Sequence, residues 1–298
     1  MNLAGRRIAI VAGDEREQEI ARLAATEGAE VTAFGFPWPD DGIVGVRPSP
    51  NAAEALRGAH YALFPIPGIA ADGSLFAPAA SEPIVPTVSL LRELAPRAHV
   101  ILGAADVHLE AAAAEAGATL HEYEDDTDLM LLRGPAIVEG ALAAAIANTR
   151  VTIHEAHVCV VGHGTIGALF ARTLVLLGAR VTVAARNPVQ RASARAAGAC
   201  AVPLTELPSL APDLAMVFST VPAAVVRRDV LEQLPRGSLV MDLAAPPGGI
   251  DLDAARELGH VAVWARGLGR RAPITVGASQ WYGIRKRIEL IEEGLNES

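Results

Sequence analysis

Three glycines in the middle of the chain have the spacing of a phosphate-binding turn. Gly162, Gly164 and Gly167 form a G-x-G-x-x-G pattern between a short β-branched run, 158–161, and an apolar-periodic stretch that ends at Gly178. In such a strand–turn–helix unit the first glycine makes the tight turn, the second lets backbone approach a pyrophosphate, and the third lets the helix pack closely on the strand. The segment therefore predicts a dinucleotide site. A glycine-rich turn that only packs is the alternative.

The end of the next predicted strand, 180–185, indicates which dinucleotide binds. A site for NAD usually has Asp or Glu there, which accepts hydrogen bonds from the ribose hydroxyls. This chain has Ala185, Arg186 and Asn187 instead. Such a sequence suits a 2′-phosphate, because no carboxylate repels the phosphate and the guanidinium can bind it bidentately. We therefore predict NADP(H), and a solvated surface arginine is the alternative for Arg186.

Ligands of open parallel sheets bind beyond the carboxyl ends of the strands, and this rule adds further candidates. Four residues that follow two later predicted strands should flank the nicotinamide. The whole predicted cofactor set is Gly162, Gly164, Thr165, Ile166, Gly167, Ala185, Arg186, Asn187, Thr220, Val221, Pro222 and Ala244.

The composition restricts the class of protein. The chain has 298 residues, a formal net charge of −9 and two cysteines, Cys159 and Cys200. The negative charge disfavours nucleic acid and membrane surfaces as partners, and two cysteines make neither a disulfide framework nor a metal site. The apolar runs look too short and interrupted for a membrane span, and no signal-peptide hydrophobic region is expected near the first residues. We expect a cytoplasmic protein without a metal.

Strand and helix patterns alternate along the chain with short turns between them. They predict an α/β fold of two doubly wound parallel-sheet (Rossmann-like) domains joined by a helix. We assign 1–134 to the N-terminal, substrate-binding domain, 135–149 to a connecting helix with Pro135 at its start, and 150–277 to the NADP-binding domain. A C-terminal helix, 278–298, either returns to cover the first domain or forms a subunit interface. Its apolar residues at spacings of three and four are Trp281, Ile284, Ile288, Ile291 and Leu295.

In the first domain the carboxyl-edge rule selects 14–16, 67–69, 104–106 and 123–126. If the carboxyl edges of the two sheets face each other, they form a cleft in which the substrate would bind opposite the nicotinamide.

Several short motifs, by their order and spacing, resemble the dipicolinate synthase A-subunit family. They are Gly13-Asp14-Glu15-Arg16-Glu17, Pro65-Ile66-Pro67-Gly68-Ile69, Glu139-Gly140-Ala141 ahead of Thr152-Ile153-His154, Val160-Val161-Gly162-His163-Gly164, Ala184-Ala185-Arg186, and Asp242-Leu243-Ala244-Ala245-Pro246-Pro247-Gly248-Gly249. The resemblance runs from about the first strand to Gly277.

The resemblance implies an NADP-dependent dehydrogenase that makes dipicolinate (pyridine-2,6-dicarboxylate) from a cyclic dihydrodipicolinate-type precursor (4-hydroxy-tetrahydrodipicolinate). Water would be lost from the ring, a hydride would go to C4 of the nicotinamide, and aromatisation would drive the reaction. The family further implies a second, flavoprotein-like B subunit and a role in sporulation, in the mother cell of spore-forming bacteria. The substrate would be a small dicarboxylate, and we expect a homo-oligomer.

Candidate residues for this chemistry come from the carboxyl-edge positions and the connecting helix. We expect Arg16 to bind a substrate carboxylate and Asp14 to position Arg16 or to act as a base, with a surface helix arginine as the alternative for Arg16. Gly68 should let the substrate approach backbone amides, and Arg133 is a further anion-binding candidate. Glu139 is the candidate for proton transfer, because the connecting helix should line the cleft. A helix-capping or solvent-facing glutamate is the alternative there.

One region departs from the family pattern. A Gly-Leu-Pro-Gly turn and a later Pro-Lys-Thr are expected, but Gly269 and Arg270 replace the Pro-Gly and Ile274 stands in place of the lysine. Arg270 and Arg271 either supply the anion binding that the lysine would have provided or are solvated.

Two other functions stay open from the sequence. One is a 2-hydroxyacid, alanine or shikimate dehydrogenase with the same two-domain plan. The other is a non-catalytic NADP-binding protein that acts only through a partner.

Overall fold

The strands and helices of the chain fall into two units. The structure is a computed structural model that describes residues 2–296. Unit 1 consists of Met1–Arg133 and Ala272–Ser298, and unit 2 of Gly134–Arg271. The strands are β1 (Arg7–Val11), β2 (Glu30–Phe34), β3 (Val46–Pro48), β4 (Tyr61–Leu63), β5 (His99–Leu102), β6 (Thr119–Glu122), β7 (His157–Val161), β8 (Arg180–Ala184), β9 (Cys200–Val202), β10 (Met216–Ser219), β11 (Leu239–Asp242) and β12 (Val261–Trp264). The helices are α1 (Glu15–Thr26), α2 (Ala52–Leu56), α3 (Val88–Leu91), α4 (Val107–Ala116), α5 (Thr127–Ala147), α6 (Thr165–Leu176), α7 (Pro188–Ala196), α8 (Leu207–Leu210), α9 (Arg228–Leu231), α10 (Leu252–Glu257) and α11 (Pro273–Asn296).

Each unit contains one sheet of six parallel strands. The order is β3-β2-β1-β4-β5-β6 in unit 1 and β12-β11-β10-β7-β8-β9 in unit 2. Both sheets therefore have the doubly wound arrangement, and the predicted α/β fold class is confirmed. The strand order reverses between β1 and β4 in unit 1, and between β7 and β10 in unit 2. The carboxyl ends of strands at such a reversal form the usual ligand position of this fold.

Apolar runs form the central strands because both faces of each sheet are covered. Ile8 and Ile10 of β1 belong to a core on one side of the sheet, while Ala9 and Val11 belong to a core on the other side. The residues of β7 divide between two cores of unit 2 in the same alternating way, and Cys159 is fully buried among them. A strand with this placement needs an apolar side chain at every position.

Helix α5 differs from the predicted connecting helix, 135–149. It starts at Thr127 and ends at Ala147, so Pro135 lies inside it. A proline there removes one backbone hydrogen bond. The leucine-rich segment 129–132 has high helix propensity and extends the helix back to the acidic run before it. The division between the two units falls inside this helix, between residues 133 and 134.

Within the described residues, α5 is the one helix long and apolar enough to cross a membrane, judged by length and composition alone. It is longer than the interrupted apolar runs of the sequence suggested. Its buried residues Val138, Ala141 and Ala145 belong to the apolar core of unit 2, as in a core helix of a globular protein. By itself the helix is weak evidence for a membrane.

Helix α11 packs on the core of unit 1 beside α1. It begins at Pro273, before the predicted start at 278, because the fixed φ of proline suits the first turn of a helix. The residues that pack in this core are Trp281, Ile284, Ile288 and, partly buried, Ile291. Trp281 also donates from Nε1 to the Glu27 carboxylate at 2.9 Å. The side chain of Leu295 and residues 297–298 of the predicted helix lie outside the described residues.

Candidate functional site

Close backbone packing builds the glycine turn of unit 2. Gly162 follows β7 with φ +93°, and a Cβ there would lie 2.6 Å from Val221 Cγ2 and 2.7 Å from Thr220 Oγ1. A Cβ on Gly167 would lie 2.6 Å from the Gly162 carbonyl oxygen and 2.8 Å from Thr220 Oγ1. Thr220 Oγ1 donates to the Val161 carbonyl oxygen at 3.1 Å and so fills the space between the two glycines. The structure brings these predicted residues together where the strand order reverses.

Gly164 has open space where the other two glycines have none. It is the N-cap of α6 with φ −79°, and nothing in the described part of the chain lies within 4 Å of where its Cβ would be. No described side chain caps this helix end. The first-turn N–H groups of Thr165 and Ile166 and the positive end of the helix dipole are therefore left for an anion.

His163 lies inside the same turn. Its side chain is buried, and its Nε2 has no hydrogen-bond partner among the described residues. Burial lowers the pKa of this histidine, so its ring is neutral near pH 7. A buried polar atom without a protein partner is a position that a ligand can satisfy.

Two arginines lie at the end of β8. Ala185 is buried and Arg186 is exposed, and the Asn187 side chain caps α7 by accepting from the Val189 N–H at 2.8 Å. The Arg191 guanidinium reaches back from α7 and donates from Nη1 to the carbonyl oxygens of Ala185 (2.8 Å) and Arg186 (2.7 Å). One arginine thus anchors the loop and the other extends from it.

The buried Asp242, at the end of β11, organises the loop that follows. Its carboxylate accepts from the N–H groups of Ala244 (2.9 Å), Gly249 (2.6 Å) and Ile250 (3.0 Å). The Ala244 carbonyl oxygen in turn accepts from Trp264 Nε1 at 3.1 Å. The predicted cofactor residue Ala244 is therefore held in place at the carboxyl edge. Pro222, also predicted, is exposed.

In unit 1, β1 ends in a strained turn that leads into buried charges. Ala12 has φ +72°, a conformation that residues other than glycine rarely adopt. Asp14 caps α1, and its carboxylate accepts from Arg16 Nε (2.6 Å) and Nη2 (3.0 Å). Glu17 Oε2 accepts from the Asp14 N–H at 2.7 Å. All three charged residues are buried, which such residues seldom are unless paired.

The ion pair involves two predicted site residues. Arg16 is buried and does not lie on the surface, and Asp14 holds its guanidinium. Binding of a substrate carboxylate by Arg16, and the other predicted role of Asp14 as a base, stay predictions. Burial lowers the pKa of Arg16, but the hydrogen bond to Asp14 and the nearby Glu17 outweigh it and leave the pKa raised. Burial raises the pKa of Glu17 to about 7, although the Arg16 charge opposes this shift. Glu17 is not among the site residues predicted from the sequence.

A second group of polar side chains follows β6. Tyr123 is buried, and burial together with the Glu17 carboxyl raises its pKa. Arg133 is half-buried, with Nε 2.9 Å from Met130 Sδ, and burial lowers its pKa against the opposing influence of Glu124. Arg16, Tyr123 and Arg133 interact electrostatically, so the structure places two predicted anion-binding arginines in one charged region. Their contact with a substrate stays a prediction.

Gly68 has a packing explanation. It has φ +70°, and a Cβ would lie 2.5 Å from the Ala104 carbonyl oxygen. The two loops after β4 and β5 therefore require glycine there without any ligand, and the predicted approach of a substrate remains untested.

Glu139 and Arg270 lie in unit 2. Glu139 is exposed on α5 and forms an ion pair with Arg271, which fits the solvent-facing alternative. The Arg270 side chain packs over the turn at Gly267, where a Cβ would lie 3.1 Å from Arg270 Nε. Their predicted roles stay predictions. Across residues 2–296, no group of three or more His, Cys, Asp or Glu side chains could hold a metal ion.

Two family models match the chain. The model of the N-terminal domain of the dipicolinate synthase A subunit matches residues 7–124, and the shikimate / quinate 5-dehydrogenase model matches residues 142–264. The first match lies in unit 1 and the second covers the glycine turn of unit 2.

Dipicolinate synthase A subunits from two Bacillus species are similar to almost the whole chain. The dipicolinate synthase A subunit of Bacillus subtilis (strain 168) is 29% identical over 276 residues, which are 92% of this chain and 93% of that protein. The crystal structure of the same protein from Bacillus subtilis has a TM-score of 0.86 at 28% identity, covering 98% of this chain and 99% of that chain. The crystal structure of the dipicolinate synthase A subunit from Bacillus halodurans has a TM-score of 0.83 at 30% identity, covering 95% of this chain and 98% of that chain. These likenesses support an oxidoreductase-type role with a nicotinamide cofactor.

Proposed function

The chain belongs to the dipicolinate synthase A-subunit family, and we propose that it is an NADP-dependent dehydrogenase that forms pyridine-2,6-dicarboxylate from a dihydrodipicolinate-type precursor. The observation that carries the proposal is the open space at Gly164. Packing inside the protein explains why Gly162 and Gly167 are glycine, but no described neighbour requires glycine at position 164. A pyrophosphate lying against the backbone would require it.

The residues around the turn fit a dinucleotide. The first-turn N–H groups of α6 would hold the pyrophosphate. His163 Nε2, in the same turn, has no hydrogen-bond partner among residues 2–296 and could bind the cofactor as well. Thr220, Val221 and Ala244 would hold the nicotinamide end, since they follow β10 and β11 at the carboxyl edge. When bound, the oxidised nicotinamide supplies the acceptor for a hydride.

The end of β8 favours NADP over NAD. No carboxylate stands at residues 185–187 to accept hydrogen bonds from ribose hydroxyls. Arg186 is exposed, and Arg191 fixes the backbone that carries it. The Arg186 guanidinium on this loop and the Arg191 guanidinium on α7 suit a 2′-phosphate, which they can bind with charge-assisted hydrogen bonds.

Unit 1 would supply the groups that bind the substrate carboxylates. Two of the five N–H donors of Arg16 bind Asp14, which fixes the guanidinium plane and leaves other donors for a carboxylate. Arg133 adds a second positive charge near the same region. A dicarboxylate carries two negative charges, so two arginines match it.

Three further properties are proposed on the strength of the family. We propose a flavoprotein-like B subunit as partner, self-association of this chain, and a cytoplasmic location in the mother cell of a sporulating bacterium. The partner can be tested by co-purification, self-association by light scattering of the purified protein, and the location by fractionation of sporulating cells.

The proposal is tested with purified protein, NADP⁺ and freshly generated precursor, with and without a candidate B subunit. Nicotinamide absorbance and the ultraviolet bands of the pyridine product are followed together. Product without this partner supports a complete enzyme, and product only in its presence supports a catalytic complex. A parallel mixture with shikimate tests the dehydrogenase whose family model matches unit 2.

Two outcomes contradict the proposal. Reduction of NADP⁺ by shikimate with none by the precursor would assign the chain to another dehydrogenase class. If the protein binds NADP⁺ but does not turn over the precursor even with the flavoprotein-like partner, the chain is a non-catalytic nucleotide-binding protein.

A further inference from the structure

We propose that Glu17 is the general base that takes the proton from the substrate ring, a role that rests on the proposed function. Glu17 is in the first turn of α1, directly after β1. It therefore lies at the carboxyl edge of the sheet, beside the reversal of strand order between β1 and β4. This is the ligand position of an open parallel sheet.

The backbone next to Glu17 is shaped around its carboxyl group. Gly13 has φ +108°, and a Cβ there would overlap the Glu17 carboxyl carbon and Oε2. Ala12 beside it is held at φ +72°. Strained conformations persist where the surrounding structure fixes them, and they cluster at functional sites. The turn therefore keeps one specific carboxyl in place at the end of β1.

The titratable groups that interact with Glu17 come from two segments of unit 1. Asp14 and Arg16 precede it at the start of α1, where they neutralise each other as an ion pair. Tyr123 follows β6 and interacts with Glu17, while Glu124 and Arg133 act in turn on Tyr123. Burial dominates these influences and brings the pKa of Glu17 to about 7. A base with a pKa near the working pH combines an available carboxylate with enough basicity to accept a proton.

Glu139, the proton-transfer candidate from the sequence, is not held in such a turn. Its side chain is 62% exposed, against 3% for the whole residue at Glu17, and it is paired with Arg271.

The proposed step balances without any further reactant. Conversion of a dihydro ring to the pyridine removes two hydrogens, one as the hydride that NADP⁺ accepts and one as a proton. The bond that gives up the proton leaves its electron pair in the ring, where it completes the aromatic system. The Glu17 carboxylate takes the proton and becomes a neutral carboxylic acid, which then releases the proton to solvent.

The experiment compares wild type with Glu17→Gln, Glu17→Asp and Glu15→Gln. Gln keeps an oxygen that can accept from the Asp14 N–H, so the capping box and the fold of α1 are preserved. Glu15→Gln is the matched control, because it removes one negative charge from the same helix turn at an exposed position. The rate of NADPH formation is measured against pH with saturating precursor.

We expect the wild-type rate to rise with pH through about 7 and then level off. Glu17→Gln should lose that rise and at least about 100-fold in kcat. Glu17→Asp should be slower than wild type but keep a rise with pH, and Glu15→Gln should match wild type.

A second measurement does not depend on turnover. Binding of pyridine-2,6-dicarboxylate is followed by calorimetry at about pH 7 in buffers of different ionisation enthalpy. The incoming negative charges favour the protonated form of Glu17. Wild type and Glu15→Gln should therefore take up a fraction of a proton on binding, and Glu17→Gln should take up none.

The two proposals fail in different ways. If wild type makes the pyridine product and Glu17→Gln keeps its rate, its pH profile and its proton uptake, the Glu17 role is wrong and the function stands. If wild type neither turns over the precursor nor binds the dicarboxylate, both are wrong. If wild type is inactive but its proton uptake on binding disappears in Glu17→Gln, the function is wrong and Glu17 still belongs to an anion site.

Discussion

Replacing Arg186 with alanine should change which nicotinamide cofactor the protein prefers. The substitution should remove only the contacts between the exposed guanidinium and a 2′-phosphate. The fold of the loop should not change, because it depends on Arg191 and not on Arg186. Hydrogen bonds that involve charged groups contribute about 1.5–3 kcal/mol. One such contact, weakened by solvent, therefore corresponds to a loss of about 10- to 100-fold in NADP⁺ affinity.

The assay is the dissociation constant of NADP⁺ and of NAD⁺, measured by calorimetry for each variant. In Arg186→Ala the Kd for NADP⁺ should rise by about 10- to 100-fold while that for NAD⁺ changes by less than about twofold. Arg191→Ala should weaken NADP⁺ binding further, since it also frees the carbonyl groups of Ala185 and Arg186.

Arg195→Ala is the control for these variants. Arg195 lies on the same helix, and its replacement removes the same charge, but its guanidinium donates to the Ala201 carbonyl oxygen at 2.7 Å. The effect on the two cofactors should be small and equal. An unchanged ratio of the two constants in Arg186→Ala would refute the assignment of this arginine to the 2′-phosphate.

Three other predictions concern stability and the glycine turn. Gly164→Ala should leave the fold intact but weaken NADP⁺ binding by about tenfold or more, because its methyl group would occupy the open space, and equal binding in calorimetry would contradict this. Asp242→Asn should lower the free energy of unfolding by about 2–4 kcal/mol in urea titrations, since an amide nitrogen would face backbone N–H groups, whereas the exposed Asp253→Asn should have little effect. The pKa of Glu17 is about 7 in the folded protein and about 4.5 in the unfolded chain, so protonation of Glu17 stabilises the fold. This stabilisation is full below about pH 4.5 and is lost as the pH rises through about 7. From about pH 5 to about pH 8, wild type should therefore lose up to about 3 kcal/mol relative to Glu17→Gln, and a constant difference between the two would count against the raised pKa.

The parts of this protein that the sequence predicted are those encoded locally. The strand, glycine turn and helix at 157–176 lie together in the chain, so their order alone indicates the geometry. Both sheets follow from alternating apolar runs and helical patterns, as β1 and β7 show. The short family motifs led to the dipicolinate synthase A-subunit family, which the comparisons confirm.

The missed features depend on residues distant in the chain or on side-chain direction. Glu17 looks like an ordinary first-turn glutamate until Tyr123, about a hundred residues later, is seen to share its buried region. Arg191 turns back to the loop before its own helix, which a helical pattern cannot show. Asp242 lies within one of the family motifs, but only the folded loop reveals its three backbone hydrogen bonds.

Helix ends were the least predictable elements. Pro135 suggested a helix start because proline is common there, but the residues before it have enough helix propensity to continue through it. The opposite happened at Pro273, where proline does begin the helix. The same residue type therefore signals different things according to its neighbours.

A crystal structure of the protein soaked with NADP⁺ tests the central claim most directly. We expect the pyrophosphate over Gly164, within hydrogen-bond distance of the Thr165 and Ile166 N–H groups, and the 2′-phosphate beside Arg186. The claim would be contradicted if NADP⁺ were bound at another position while the glycine turn stayed empty, or if the adenosine end of the cofactor lay far from Arg186.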